Sequence, residues 1–181
     1  MGGRRPPHSE GSGTIAVVTL VGNPRPLSRT RQVGIDAAQA VATRIGLAGV
    51  GAVVDLSAPP AEREGALEIV TSASLLVVAS PTFKGTYTGL IKSFFDGFPR
   101  GALSGTVALP VLVMHDARHA LAVEVHFRPL LVELGATVPT PGLALLEADI
   151  PGGEALGRWA DLVAPQVAAA LAGPVRSAQS A

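Results

Sequence analysis

The sequence contains no cysteine, which excludes disulfide bonds, thiolate catalysis and cysteine-ligated metal centres. It has no excess charge of either sign, because 14 basic side chains balance 14 acidic ones, so electrostatics give no reason to expect binding to nucleic acid or an anionic membrane. Lysine is scarce: every basic residue except Lys84 and Lys92 is an arginine. No apolar run approaches the roughly 20 residues that a membrane-spanning helix needs. We therefore expect a cytoplasmic protein that binds neither nucleic acid nor membrane.

Patterns that bind metal are also missing. His115 and His119 are four residues apart, which would place them on one helix face, but no His-Glu-x-x-His pattern accompanies them. We predict no metal site. Residues 1–13 have no apolar stretch after their arginines and indicate a flexible arm, and residues 173–181 indicate a flexible tail. About half of the residues (48%) are apolar, which is enough for one domain over residues 14–172.

Short β-branched apolar runs alternate with segments of helical spacing. The predicted strands cover 14–21, 51–56, 74–81, 105–114 and one or two pieces within 136–147. The predicted helices cover 28–49, 58–73, 88–98, 118–135 and 152–173. Proline should distort the fourth strand at Pro110 and kink the last two helices at Pro129 and Pro165.

Five strand–helix alternations with short connections predict a doubly wound parallel sheet of five strands, covered by helices on both faces. In such a three-layer α/β/α fold, ligands bind beyond the carboxyl ends of the strands. The loops after the first, third and fourth strands are therefore the segments in which to search for a site.

The loop VGNPRPLSRT (21–30) follows the first strand and precedes the first helix. A helix N-terminus presents unpaired N–H groups that suit a phosphate, and Gly22 allows a tight turn. The loop has neither a dinucleotide fingerprint nor a P-loop, so a single monophosphate fits better than a pyrophosphate. An ordinary polar loop with helix-capping residues explains this stretch equally well. If it binds phosphate, the polar groups available are those of Asn23, Arg25, Ser28 and Thr30.

The loop SPTFKGTYTGLIKSFFDGFP (80–99) follows the third strand and combines aromatics, small residues and a lysine. A planar ligand would lie against the backbone of 81–84, with N–H groups reaching its edge. We assign Phe94 and Phe95 to the core, and keep Phe83, Lys84 and Tyr87 as candidate site residues.

These two loops, together with HALAVEVHFRPLLVELGA (119–136), resemble in order and content the NAD(P)H-dependent FMN reductases of the flavodoxin-like superfamily. The likeness extends over residues 14–147 and is greatest to the sulfonate-utilisation type, which supplies reduced FMN to a partner monooxygenase. It implies a flavodoxin-like fold, FMN with NADPH or NADH as cofactors, and an oxidoreductase that needs no side chain as acid or base for hydride transfer. It also implies subunit contacts through 80–99, hence a homodimer or homotetramer.

The resemblance also assigns roles to individual residues. Those that would hold the FMN phosphate are Asn23, Arg25, Ser28 and Thr30. Those that would line the edge of the isoalloxazine ring are Pro81, Thr82, Phe83 and Lys84. The turn into the next helix would be formed by Tyr87, Thr88 and Gly89.

The chain departs from the family after the fourth strand, where two glycines usually let the backbone approach the flavin ring. Met114 and His115 stand there instead, and their side chains would either crowd or contact a flavin. Both are candidate cofactor-binding residues, and His115 is also a weak candidate for a catalytic proton donor, because histidine titrates near neutral pH. His119 is expected only to cap the following helix.

Two alternatives to the FMN reductase hypothesis stay open, the second of which is favoured by this departure. One is a quinone- or azo-type reductase that keeps FMN bound. The other is a non-enzymatic partner protein of the same fold that has lost flavin binding.

Overall fold

The computed structural model describes residues 16–151 and 153–173. The expected N-terminal arm and nearly all of the expected C-terminal tail lie outside these residues. Five parallel strands form one sheet in the order β2-β1-β3-β4-β5. The strands are β1 (Val17–Val21), β2 (Ala52–Asp55), β3 (Leu75–Pro81), β4 (Val107–Met114) and β5 (Leu143–Leu146). The helices are α1 (Arg29–Arg44), α2 (Ala66–Thr71), α3 (Gly89–Phe95), α4 (Arg128–Glu133) and α5 (Gly153–Leu171).

Apolar clusters cover both faces of the sheet. Helices α1 and α5 pack on one face, while α2, α3 and α4 pack on the other. The central strands β1, β3 and β4 are buried along nearly their whole length, which explains why they appear in the sequence as continuous apolar runs. The predicted three-layer α/β/α fold with a five-stranded parallel sheet is confirmed.

The expected single helix over 118–135 is wrong. The segment is divided into a 3₁₀ turn (Ala117–His119), a π-helical turn (Val123–Phe127) and the short helix α4. Glu124 lies within the π-helical turn, where it pairs with Arg128 and accepts a hydrogen bond of 2.7 Å from the Gly142 N–H. Burial alone would raise the pKa of Glu124, but these hydrogen bonds and the Arg128 charge lower it overall.

The expected distortion of β4 at Pro110 is absent. The strand keeps continuous register with β3, in which Pro110 pairs with Val78. The Ala108 N–H points away from β3, toward the carbonyl of Thr137 (2.8 Å), and the backbone of Pro110, two residues on, faces the same side. On that side β5 pairs only from Val111 onward, so the missing N–H of proline removes no ladder hydrogen bond.

The proline inside the last helix does not divide it into two helices. Helix α5 runs through Pro165 without interruption. Among the described residues, no helix is both long enough and apolar enough to cross a bilayer.

Candidate functional site

A cleft of about 530 Å³ opens where the loops following β1, β3, β4 and β5 meet at the carboxyl edge of the sheet. This volume falls in the range of roughly 300–1,000 Å³ that is typical of small-molecule sites. Its walls are formed by Asn23, Arg25, Pro26, Leu27, Ser28, Arg29, Thr30, Pro81, Thr82, Phe83, Val113, His115 and Glu147. The fold thus brings together all of the candidate cofactor-binding residues except Lys84 and Met114, which do not line the cleft.

One side of the cleft is the loop into α1. Ser28 caps this helix with extended backbone angles, and its hydroxyl accepts a hydrogen bond of 3.2 Å from the Arg31 N–H. The Asn23 amide donates to the Thr30 hydroxyl at 3.0 Å and accepts from the Arg25 N–H at 2.9 Å. The loop is therefore held by its own polar side chains, with the positive end of the α1 dipole directed at the cleft.

Leu27 has an unusual conformation in this loop. Its φ is +49°, in the left-handed region that non-glycine residues rarely adopt, and its side chain is 86% exposed. Such strain persists only where the surrounding structure holds it, and it concentrates at ligand sites. Here the left-handed turn leads the chain directly into the Ser28 cap.

The three arginines near the start of α1 are not equivalent. Arg29 lies 3.4 Å from the carboxylate of Glu147, and Arg31 lies 3.5 Å from that of Asp55. Arg25 is exposed and makes no ion pair with any described residue. Arg25 is thus the cation of this loop that remains available for an anionic ligand.

The opposite side of the cleft is formed by the segment after β3. The Phe83 N–H donates to the Thr86 carbonyl at 2.8 Å, and the Thr86 N–H returns a longer bond of 3.3 Å. Lys84 and Gly85 form the tip of this turn with φ of +53° and +83°. Phe83 is about half exposed (52%) and presents its ring at the cleft.

Some of the backbone N–H groups that were expected to meet a planar ligand already donate hydrogen bonds within the protein. The Thr82 N–H donates to the Val113 carbonyl at 2.8 Å, and the Phe83 N–H is used in the turn. Pro81 has no N–H. Among residues 81–84, Lys84 is therefore the residue whose backbone N–H is left free by these two hydrogen bonds.

Buried hydroxyls fix this segment to the first loop. The Thr88 hydroxyl donates to the Gly22 carbonyl at 2.6 Å, and the Thr88 N–H donates to the Ser80 hydroxyl at 3.0 Å. Thr88 also caps α3. The two sides of the cleft are therefore joined at its base by hydrogen bonds across the sheet edge.

The two residues that replace the usual glycines point in different directions. Met114 is buried (5% exposed), whereas the His115 side chain is 95% exposed. The Nδ1 atom of His115 lies 3.9 Å from Glu147. Met114 does not line the cleft, because alternation along the chain places Val113 and His115 in its wall instead.

Asp116 and Arg118 form an ion pair directly after His115. Hydrogen bonds from the Arg118 side chain (2.6 and 2.9 Å) and backbone N–H lower the pKa of Asp116 to about 2. Asp116 is thus ionised at neutral pH, and the pair is lost only as the pH falls through about 2. Since the side chains are 83% exposed for Arg118 and 36% for Asp116, the pair adds little stability.

The expected cap at His119 is wrong. Asp116 caps the 3₁₀ turn in which His119 lies, by accepting a hydrogen bond from the Arg118 N–H. His119 instead approaches the tip of the turn after β3, where a Cβ atom added to Gly85 would lie 3.8 Å from its Cδ2 atom. Its Nδ1 atom is buried and has no hydrogen-bond partner in the described part of the chain.

Sequence reasoning missed Glu147. This residue follows β5 directly and is the carboxylate in the wall of the cleft. No motif marks it, but a polar residue at the carboxyl end of a fifth parallel strand has to lie at the same sheet edge as the other loops. Within residues 16–151 and 153–173, no cluster of three or more metal-ligating side chains occurs.

Comparison with known proteins agrees with this geometry. The family model for NADPH-dependent FMN reductases matches residues 15–149. An FMN reductase (NADPH) from Pseudomonas aeruginosa is 37% identical over 102 residues, which are 56% of this chain and 55% of the relative. The NADH-dependent FMN reductase SfnF of Pseudomonas fluorescens is 36% identical over 100 residues, 55% of this chain and 54% of the relative. The chain thus matches about half the length of these relatives.

Solved structures show the same architecture. An oxidoreductase from Corynebacterium diphtheriae is 26% identical, with a TM-score of 0.73 over 88% of this chain and 98% of the other. A flavodoxin from the domain Archaea, at 15% identity, has a TM-score of 0.58 over 84% of this chain and 98% of the other, so the fold is flavodoxin-like. Since the family model covers most of the domain, this chain belongs to the NADPH-dependent FMN reductase family.

Proposed function

We propose that this protein reduces FMN with NADPH or NADH. The observation that carries the proposal is one cleft that is lined both by the N-terminus of α1 with the unpaired Arg25 and by an exposed aromatic residue after β3, Phe83. This arrangement matches a ligand with a phosphate at one end and a flat ring at the other. Membership of the FMN reductase family supports the same ligand.

The donor set fits one monophosphate. Helix geometry leaves the N–H groups of Arg29 and Thr30 without intrahelical acceptors, and Arg25 adds a free positive charge. The Ser28 hydroxyl stands at the same helix end. Together these groups would hold the phosphate of FMN by charge-assisted hydrogen bonds.

The ring side of the cleft would position the isoalloxazine group between protein and solvent. The Phe83 ring and Val113 supply apolar surface, and the amide of Lys84 remains available to a polar ring edge. When bound, FMN supplies the chemistry by accepting a hydride from the nicotinamide. The chain's own residues bind and orient, and no described side chain is required as an acid or base.

The exposed His115 bears on the alternative of a protein that has lost flavin binding. That alternative rested on crowding by Met114 and His115, but Met114 is buried in the core and His115 extends toward Glu147. The cleft remains open beside them. We therefore retain FMN reduction as the proposed activity, situated in the cytoplasm, where NADPH and NADH are available.

The activity is tested by mixing purified protein with NADPH or NADH and increasing FMN, and following absorbance at the nicotinamide band. We expect oxidation that depends on FMN concentration. No oxidation with either nucleotide, together with no quenching of FMN fluorescence by the protein, would contradict the proposal. A yellow protein that keeps FMN through purification would instead indicate a reductase with FMN as a resident cofactor.

We also propose that reduced FMN passes to a flavin-dependent monooxygenase and that the chain self-associates. The first proposal rests on the resemblance to sulfonate-utilisation reductases. The second is supported by exposed apolar side chains along the segment that contains the π-helical turn: Leu121 (72%), Val125 (57%) and Val132 (53%). Tyr87 packs on Phe127 of this segment with ring centroids 5.2 Å apart, which connects the segment to the chain between β3 and α3.

Val125→Glu should convert the assembly to a monomer, because a carboxylate buried in an apolar interface has no counter-charge. Light scattering after size-exclusion chromatography measures the mass. Leu162→Glu is the matched control, since Leu162 is equally exposed (57%) but lies on α5, on the other side of the sheet. A wild-type monomer, or an unchanged mass for Val125→Glu, would contradict self-association through this segment.

A further inference from the structure

Glu147 has an unexpected position for a site that is to receive an anion. Its side chain, 47% exposed, lines the cleft beside the N-terminus of α1. Its Oε1 atom lies 3.4 Å from Nη1 of Arg29, and its Oε2 atom lies 3.9 Å from Nδ1 of His115. Among the residues that line the cleft, it is the single carboxylate.

This ion pair is not explained by stability. The side chains are 68% exposed for Arg29 and 47% for Glu147, and exposed ion pairs contribute little to stability. Arg29 is the first residue of α1, at the helix end that would otherwise offer a second arginine to a phosphate. The Glu147 carboxylate therefore neutralises Arg29, a cation at the helix end where the FMN phosphate is proposed to bind.

We propose that Glu147 acts as an internal competitor for the FMN phosphate and thereby keeps FMN affinity moderate. By pairing with Arg29, it withholds one cation from a phosphate monoester that carries nearly two negative charges at neutral pH. A flavin that must leave reduced and be replaced by an oxidised one is served by a site that does not bind its phosphate with full strength. This inference rests on the proposed function, because it assigns the affinity of the same site.

The test compares FMN with riboflavin, which has the ring and ribityl chain but no phosphate. Glu147→Gln removes the charge and keeps the size. Titration of flavin fluorescence should show an FMN Kd about three- to fivefold lower than in the wild type. The riboflavin Kd should change by less than about twofold, because the competitor acts on the phosphate alone.

Two further variants identify the route of the effect. Asp149→Asn is the matched control, since it removes one negative charge from the same 3₁₀ turn but lies outside the cleft wall. It should leave both Kd values unchanged within about twofold. In an Arg29→Gln background, Glu147→Gln should no longer tighten FMN binding, because no cation remains to be released.

The outcomes separate this inference from the proposed function. FMN binding by the wild type with an equal Kd for Glu147→Gln would overturn the inference alone, as would equal tightening of FMN and riboflavin. Tightening that persists in the Arg29→Gln background would also overturn it. FMN binding by none of the variants would overturn the proposed function, and this inference with it.

Discussion

Gly22→Ala should lower the free energy of unfolding by about 1–3 kcal/mol, because the added methyl group has no space. A Cβ atom at Gly22 would lie 2.1 Å from Cγ1 and 2.4 Å from Cδ1 of Ile91, which is fully buried in α3. The backbone cannot yield easily, since the Gly22 N–H donates to Ala79 (2.8 Å) and its carbonyl accepts from Thr88 (2.6 Å). Chemical denaturation of the wild type and the variant measures the loss.

Two variants make this expectation specific. Gly89→Ala also adds one methyl group, at the start of α3, but finds no atom within 4 Å, so it should be neutral or slightly stabilising. In an Ile91→Ala background the additional cost of Gly22→Ala should largely disappear, since the clashing atoms are gone. Equal unfolding midpoints for Gly22→Ala and Gly89→Ala would contradict the close packing of the first loop against α3.

The strands were predictable because a strand buried on both faces leaves a continuous apolar run. β3 is such a strand: six of its seven residues are buried, and its first residues, Leu75 and Leu76, begin the run that the sequence shows. The order of the strands was not predicted beyond the flavodoxin-like fold that the family resemblance implies, because periodicity does not show which strands are neighbours. Short connections and right-handed crossovers reduce the number of possible strand orders but do not determine a single one.

The segment from 117 to 133 was not predictable from its spacing. Apolar residues recur at helical intervals there. The single π-helical turn adds one extra residue to the helix, which changes the spacing of the apolar residues too little to be recognised in the sequence. The turn also makes a contact that local spacing does not show, from Glu124 to the Gly142 N–H. The prediction of a distortion at Pro110 was wrong because the effect of its missing N–H depends on where the neighbouring strand β5 begins, which the local sequence does not show.

The candidate site was predictable where its residues belong to one loop. Asn23, Ser28 and Thr30 all precede or begin α1, so helix-capping chemistry places them together. Glu147 reaches the same cleft only through the parallel arrangement of strands, and its pairing with Arg29 spans 118 positions. The local sequence also did not show that the backbone N–H groups of Thr82 and Phe83 donate hydrogen bonds to other parts of the protein.

Arg25→Gln should weaken FMN binding by about tenfold to a hundredfold, the factor that corresponds to losing a charge-assisted hydrogen bond of about 1.5–3 kcal/mol. Arg25 is the arginine of the loop that no described carboxylate neutralises. It lies between Pro24 and Pro26, which restrict its backbone and so reduce the entropy lost when its side chain meets a phosphate. Fluorescence titration with FMN gives the Kd.

Riboflavin and a second arginine provide the controls for Arg25→Gln. The Kd for riboflavin should change by less than about threefold, because the phosphate is the group that Arg25 would contact. Arg31→Gln removes the same charge from α1 but leaves the cleft wall intact, since Arg31 pairs with Asp55 instead. If both variants weakened FMN binding equally, the effect would be the loss of net positive charge near the helix end. A selective loss in Arg25→Gln, with riboflavin binding unchanged, would place the phosphate contact at this side chain.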